Sequence, residues 1–293
     1  MNIKIAEICG LCAGCKNAIN TTLKEIEDGH SVTIFKEIVH NRNVNAYLHS
    51  MGADCVEDIN DLNPQRTIII RAHGEPPSTY EYLDRGKYTY RDCTCPNVTK
   101  IHNLVREYSD KGYKIIILGK YQKVIHPEVL GTIGWANSEV ILIETSDDIS
   151  KLETYKDKKF YLVCQTTFNT DKAEKLIDTI DSVLSASGCT LIINKSLCGA
   201  QKAINMSSVK LAKECDIIIV VGGANSSNSL ELYNNVSGYC PSVFIEDIHT
   251  YREALEKANL NISPDSNIGI TAGASTRKEE LVELKEIIEK DYR

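Results

Sequence analysis

The sequence predicts an α/β protein built from three similar modules on parallel sheets. Apolar runs such as Ile115–Leu118 and Ile217–Val221 show no polar alternation, as strands covered by helices on both faces do. Such β-rich runs alternate with helical stretches along the whole chain. One unit also recurs. Ile68-Ile-Ile-Arg-Ala-His-Gly, Ile115-Ile-Ile-Leu-Gly and Ile217-Ile-Ile-Val-Val-Gly-Gly each run an apolar strand into a glycine-containing turn. Parallel sheets bind ligands beyond the carboxyl ends of their strands, so the repeat suggests modules sharing one central site.

In chain order, a strand is expected over Ile3–Ile8, a helix over Cys15–Glu27, and strands over Ser31–Lys36 and Thr67–Arg71. A helix over Val98–Lys111 then leads to strands Tyr113–Leu118, Glu139–Ile143 and Lys159–Val163. Helix Thr170–Ser185, strand Thr190–Ile193, helix Gln201–Lys213 and strand Asp216–Val221 follow. Helix Ser229–Ser237, strands Ser242–Ile245 and Asn267–Ile270, and helix Arg277–Lys290 complete the series. Length alone, 293 residues, suggests about two domains. The repeat suggests three: 13–95, 96–194 and 195–293, the last joined by an N-terminal strand, 1–12. No long linker or low-complexity segment separates them.

Apolar residues make up 42% and charged residues 25% of the chain, with a net charge of −7. That is the mix of a soluble domain with its own core. An acidic excess argues against nonspecific nucleic-acid binding, which needs a basic face. No run of 18 apolar residues is present, so no membrane span is expected. Glu7 interrupts the N-terminal segment before any long apolar stretch, unlike a signal peptide. A cytoplasmic protein is the expectation. There an odd count of eleven cysteines points to metal ligation or redox chemistry rather than a disulfide framework.

Three cysteines stand in turn-like settings beside a helix start: Gly10-Leu-Cys12-Ala-Gly, Thr94-Cys95-Pro-Asn and Leu197-Cys198-Gly-Ala. One per module would let three turns converge on one iron–sulfur cluster. Exposure at a turn and a helix N-terminus both favour the thiolate. Three ligands on a four-iron cluster leave one iron open to a substrate oxygen. Cys55, Cys164, Cys189, Cys215 and Cys240 lie in or beside apolar runs and read as small core residues. Cys9-x-x-Cys12-x-x-Cys15 offers a local ferredoxin-type run, but lacks the fourth cysteine and the proline. Zinc is a further option, though no second C-x-x-C pair stands at finger spacing.

Polar groups gather at strand ends. Val39-His40-Asn41 and Ala72-His73-Gly74 each present an imidazole, and His126-Pro127-Glu128 an imidazole with a carboxylate. Gln165-Thr166-Thr167 follows a strand, and Asn225-Ser226-Ser227-Asn228-Ser229 and Gly269–Thr276 follow glycine-containing runs. Hydroxyls, amides and backbone N–H groups at helix starts make an anion site that needs few cations. Each also has a plain reading: Ser226, Asn228 and Ser275 as N-caps, the histidines as hydrogen-bonded core residues, the carboxylate as solvated.

Together these residues resemble the 4-hydroxy-3-methylbut-2-enyl diphosphate reductase family of isoprenoid biosynthesis by the methylerythritol phosphate route. The matching segments are Gly10-Leu-Cys-Ala-Gly14, Val39-His-Asn41, Ala72-His-Gly74, Thr94-Cys-Pro-Asn-Val-Thr-Lys100 with His102, and His126-Pro-Glu-Val129 with Gly131-Thr132. Gln165-Thr-Thr167, Cys198, Ser226-Ser-Asn-Ser229 and Gly269-Ile-Thr-Ala-Gly-Ala-Ser-Thr276 continue in the family's order. The resemblance implies three α/β modules around a central [4Fe-4S] cluster held by Cys12, Cys95 and Cys198. Its open iron would bind the allylic hydroxyl of the substrate. It implies proton supply by Glu128, with Thr167 ordering the hydroxyl or a water. It implies a diphosphate held by His40, His73, His126, Ser226, Ser227, Asn228 and Ser275. Two electrons, from a donor such as ferredoxin or flavodoxin, and two protons would remove the hydroxyl as water. An allylic C–O bond needs a Lewis acid, an electron source and an acid in any case.

The chain departs from the family's usual pattern in several places. Leu11, Cys15 and Asn17 stand for Phe, Val and Arg, and Trp135 for Gln. Gly119–His126 is longer than the usual turn, and Ala200-Gln-Lys-Ala-Ile-Asn205 replaces Ala-Thr-x-x-Arg-Gln. Glu75 places a carboxylate beside the diphosphate histidines, which is repulsive in a dry site. These departures leave room for a paralogue reducing another allylic or hydroxylated substrate. A cluster-bearing electron carrier or redox sensor, or a zinc-binding structural module, are the readings from other classes. A carrier has no need of Glu128, Thr167 and the Ser-Ser-Asn turn together.

Overall fold

The runs Ile68–Ile70, Ile115–Leu118 and Ile217–Val221 are buried end to end, so each is an interior strand. A computed structural model describes residues 1–292, with Ser227 described by its backbone alone. It shows the expected α/β architecture of parallel-sheet modules. The elements are β1 (Asn2–Ile5), α1 (Ala13–Glu27), β2 (Val32–Phe35), α2 (Arg42–Ser50), β3 (Ala53–Val56), β4 (Thr67–Ile70), α3 (Pro77–Arg85), β5 (Tyr90–Asp92) and α4 (Pro96–Asp110). Next come β6 (Lys114–Leu118), α5 (Pro127–Ile133), β7 (Val140–Ile143), β8 (Lys159–Cys164), α6 (Thr170–Ala186) and β9 (Thr190–Asn194). Then follow α7 (Gly199–Ala212), β10 (Ile217–Val221), α8 (Ser227–Ser237), β11 (Ser242–Ile245), α9 (Tyr251–Lys257), β12 (Asn267–Ala272) and α10 (Lys278–Asp291).

The chain divides into two units, Met1–Glu57 with Gly199–Arg293, and Asp58–Cys198. In the first, a parallel sheet runs β1-β12-β10-β11, with Ile219 level with Ile270 and Asn2 with Asn267. β2 and β3 form a parallel pair. Both faces of the four-stranded sheet are covered. Leu281, Leu284 and Ile288 of α10 and Leu255 of α9 pack on one. Leu211 of α7 and Leu232 and Val236 of α8 pack on the other.

In the second unit a parallel sheet runs β7-β6-β8-β9, and β4 pairs in parallel with β5. Ala173, Leu176, Ile177 and Ile180 of α6 cover one face. Ile101 and Val105 of α4, with Val129 of α5, cover the other. In the sheet β7-β6-β8-β9 the first strand of the series, β6, sits between the second and the third, as β10 sits between β11 and β12 in the other. The connections from β6 and β8 therefore leave in opposite directions. Such points open a crevice at the strands' carboxyl ends.

Some expectations are trimmed. The strand expected over Ile3–Ile8 stops at Ile5, since only one further ladder bond, Ala6 N–H to the Ile270 carbonyl (2.9 Å), extends it. Glu7 and Ile8 face solvent. β3 and β5 are edge strands with polar, exposed residues, so they carry no apolar run to read. α2, α3, α5 and α9 have seven to nine residues each; α2 buries only Val44 and Leu48.

Candidate active site

In the second unit the strand-end turns hold one another in place. Cys95 is the residue before Pro96, which opens α4. Its backbone N–H donates to the Ala72 carbonyl (3.0 Å), tying the thiol's turn to the one carrying His73. Gly74 lies there at φ +71°, and a Cβ on it would stand 2.6 Å from His102 Cε1 and 2.9 Å from Thr94 Cγ2. Only glycine fits both demands. The ring of His73 meets that of His126 edge-on, with centroids 5.4 Å apart. His126 caps α5, its Nδ1 accepting the Glu128 N–H at 3.3 Å.

Glu128 is 2% exposed. Its carboxylate accepts the Thr166 N–H (2.6 Å) and the Thr166 hydroxyl (2.7 Å). Burial raises its pKa to about 7, with the two Thr166 bonds opposing. A carboxyl so placed holds and releases a proton near neutrality. The Thr166 carbonyl in turn accepts the Cys198 N–H (2.7 Å). The carboxylate and that thiol are thus joined through one residue. Thr166 has no signal in the sequence beyond its place in the Gln165–Thr167 turn. Thr167 instead accepts a bond from Gln165 Nε2 (2.8 Å), and Gln165 Oε1 accepts the Lys120 N–H (3.0 Å). Asn97 Nδ2 donates to Cys198 Sγ at 3.6 Å.

The departures form a connected set here. Glu75 is buried at 2% exposure, and its Oε1 accepts from Arg71 Nε at 3.1 Å. The carboxylate feared beside an anion is therefore matched by a buried guanidinium. Trp135 donates from Nε1 to the Glu75 carbonyl (3.0 Å) and stacks on His102, centroids 5.1 Å apart at 14°. Arg106 lies over the indole at 4.7 Å. Burial depresses the His102 pKa to about 4, Asp92 opposing, so this ring is neutral packing at physiological pH. The longer 119–126 turn is anchored at its base. Glu144 Oε2 accepts the N–H groups of Tyr121 (2.7 Å) and Gln122 (2.8 Å), and His126 N–H donates to the Lys120 carbonyl (2.9 Å).

In the first unit three turns interlock. Cys12 N-caps α1, and its N–H donates to the Ala274 carbonyl (3.2 Å), while Leu11 N–H donates to Thr276 O (2.8 Å). Asn41 N-caps α2 through Oδ1 and donates from Nδ2 to Thr276 Oγ1 (3.4 Å). A Cβ on Gly223 would stand 2.4 Å from the His40 carbonyl oxygen, so the bare backbone lets the His40 turn lie against the end of β10. Ser226 caps α8, accepting from Ser229 N–H (3.3 Å) and from the Ser229 hydroxyl (3.0 Å). Its N-cap reading therefore holds, alongside any ligand role. Asn228 is half-buried on the first turn of α8. The side chain of Ser227 lies outside the described residues. Ser275 Oγ is buried without a hydrogen-bond partner among the described residues, as an unfilled donor in an anion cradle would be.

The donor chemistry fits an iron–sulfur cluster. Cys12, Cys95 and Cys198 are each half-buried at an element's start, and none is in a disulfide among the described residues. Cys12 Sγ accepts the Cys15 N–H at 3.5 Å. Its pKa is lowered to about 6 by hydrogen bonding with the Cys15 side chain and then by nearby backbone N–H groups, against burial. Thiolates of this kind bind iron. By contrast Cys164 is buried and pushed up to about 12 by burial, an inert core thiol.

Residues 3–289 match the sequence profile of the family described as LytB protein. A relative from Clostridioides difficile (strain 630), named 4-hydroxy-3-methylbut-2-enyl diphosphate reductase, is 34% identical over 282 residues, 94% of this chain and 95% of the relative. One of the same name from Alkaliphilus oremlandii (strain OhILAs) is 32% identical over 281 residues, 95% of each chain. A solved (E)-4-hydroxy-3-methyl-but-2-enyl diphosphate reductase, described as the terminal enzyme of the non-mevalonate pathway, superposes with a TM-score of 0.74 at 28% identity, covering 99% of both chains. The E-1-hydroxy-2-methyl-but-2-enyl-4-diphosphate reductase from Plasmodium falciparum gives 0.82 at 27% identity, covering 98% of this chain and 87% of that one.

Proposed function

Because the chain belongs to the LytB protein family, we propose that it reduces 4-hydroxy-3-methylbut-2-enyl diphosphate to isopentenyl and dimethylallyl diphosphates. In this reading Cys12, Cys95 and Cys198 hold a [4Fe-4S] cluster with one open iron. Such a cluster would supply a Lewis-acidic iron and a source of electrons, replenished by a ferredoxin- or flavodoxin-type donor. The site works in the cytoplasm, and the modules run 13–95, 96–194 and 195–293 with strand 1–12.

The chain's own residues bind, orient and protonate. His40, His73, His126, Ser226, Ser227, Asn228 and Ser275 hold the diphosphate, with helix starts completing the anion site. Thr167 orders the hydroxyl end. Glu128 gives its proton to the hydroxyl as the C–O bond breaks, so water leaves. The allyl fragment takes two electrons and a second proton at one of two carbons, which accounts for two isomeric products. Thr166 holds the Glu128 carboxylate in both protonation states.

The observation that carries this reading is the buried Glu128 carboxyl, poised near neutrality and tied through Thr166 to Cys198. An electron carrier has no use for it. The Glu75–Arg71 pair also removes the main objection to an anionic substrate. Anaerobic turnover of 4-hydroxy-3-methylbut-2-enyl diphosphate with a chemical reductant tests the reading. Formation of both diphosphate products supports it. No turnover by protein with a full cluster overturns it and favours the paralogue. Serine replacements of Cys12, Cys95 and Cys198 should each lower iron and sulfide content, and unchanged content in all three defeats the ligand set.

A further inference from the structure

We propose that Cys12 and Cys15 form a reversible disulfide in the cluster-free protein, withholding one cluster ligand until the pair is reduced. The withholding rests on Cys12 being a ligand; the disulfide itself does not.

The two thiols stand at Cys12-Ala-Gly-Cys15, with Cys12 the N-cap of α1 and Cys15 the third residue of its first turn. Residues three apart share one side of a helix. The Cys15 N–H donates to Cys12 Sγ at 3.5 Å, which brings the Cys12 sulfur over the first turn that carries Cys15. A Cys-x-x-Cys pair at a helix start is the arrangement on which dithiol–disulfide exchange runs. Both residues are half-buried, so a small reagent reaches them. Cys9, the other thiol of the segment, donates back to the Ala6 carbonyl at 3.1 Å.

Formation of the bridge oxidises two thiols, which lose two protons and two electrons as the S–S bond forms. A low-molecular-weight disulfide such as oxidised glutathione takes the electrons. Its own S–S bond breaks through a mixed disulfide on one cysteine, releasing two small thiols. A dithiol reductant reverses each step. A sulfur in the bridge carries no thiolate and binds no iron. Oxidation therefore parks the empty protein in a recoverable state, ahead of irreversible sulfinic or sulfonic damage.

The test uses full-length, cluster-free protein equilibrated anaerobically across a series of oxidised-to-reduced glutathione ratios. Free thiols are then alkylated and the tryptic segment 5–16 is sequenced by mass spectrometry. The expected product lacks two hydrogens, bridges Cys12 to Cys15, keeps Cys9 alkylated, and disappears on reduction. Cys15→Val and Cys15→Ala, the second guarding against a folding defect in the first, should leave a glutathione adduct on Cys12. Alkylation of Cys15 in the parent at every ratio overturns the proposal, as does a bridge to Cys9. Iron and sulfide uptake supplies the second readout. The oxidised parent should take up none until reduced. A bridge that forms without blocking uptake overturns the withholding and the ligand assignment of Cys12 together.

Discussion

The buried Glu128 carboxyl makes stability depend on pH near neutrality. Glu128 has a folded pKa of about 7 against an ordinary 4.5, so folding favours its protonated form. Its contribution is fully present below the ordinary value and is lost as pH rises through about 7, a loss on the order of 3 kcal/mol. Glu128→Gln should flatten that slope in urea titrations between pH 5 and 8, while slowing turnover roughly 10²–10⁴-fold; near-normal turnover with an intact cluster contradicts the proton-donor role. Activity of the parent should fall above pH 7 as the donor empties. Ser275→Ala offers a clean contrast. Its hydroxyl has no partner among the described residues, so the melting temperature should hold. Diphosphate affinity by calorimetry should drop roughly 5- to 10-fold, one hydrogen bond's worth. Glu75→Ala should behave oppositely, because it strands a buried Arg71. It should cost about 3–5 kcal/mol in urea unfolding, and Arg71→Leu with Glu75→Leu together should recover much of it. At this scale the thiols, the histidines and Glu128 were legible because each sits in its own short motif. The hold of Thr166 on Glu128 and of Arg71 on Glu75 was not, since a motif does not say which neighbour faces it.

The elements place these groups by meeting at strand ends. Gly223 is the hinge of one such meeting, its Cα lying against the His40 carbonyl. Gly223→Ala should push the two turns apart, costing about 1–3 kcal/mol in thermal unfolding as overpacked sites do. It should also weaken diphosphate binding, measured alongside; unchanged binding would remove His40 from the anion site. The strong apolar strands were readable because burial on both faces leaves an unbroken run. Ser242–Ile245 even has the expected ends. β3 and β5 escaped notice because an edge strand half in solvent needs no such run. α2 and α5 escaped because they are short, and their capping residues Asn41 and His126 lie in the polar segments read from the sequence as binding turns. A turn rich in polar groups reads as a binding loop whether or not a helix starts inside it.

The recurring strand-to-glycine unit anticipated the repetition of parallel-sheet modules. What no local pattern could show is that one unit draws on residues from both ends of the sequence. β1 lies level with β12, and the turn before α1 hangs on the carbonyls of Ala274 and Thr276. Those partners are translated more than 250 residues after Cys12. Domains assembled from consecutive residues can fold during synthesis, but this unit must wait. A nascent chain halted before Asn267 should leave the segment around Cys12 open to limited proteolysis, and release of the whole chain should close it. Protection of that segment in the halted chain would refute the dependence. The Cys12 turn therefore lacks its backbone anchors until Ala274 and Thr276 have been made, and its thiol spends that interval of translation unsheltered.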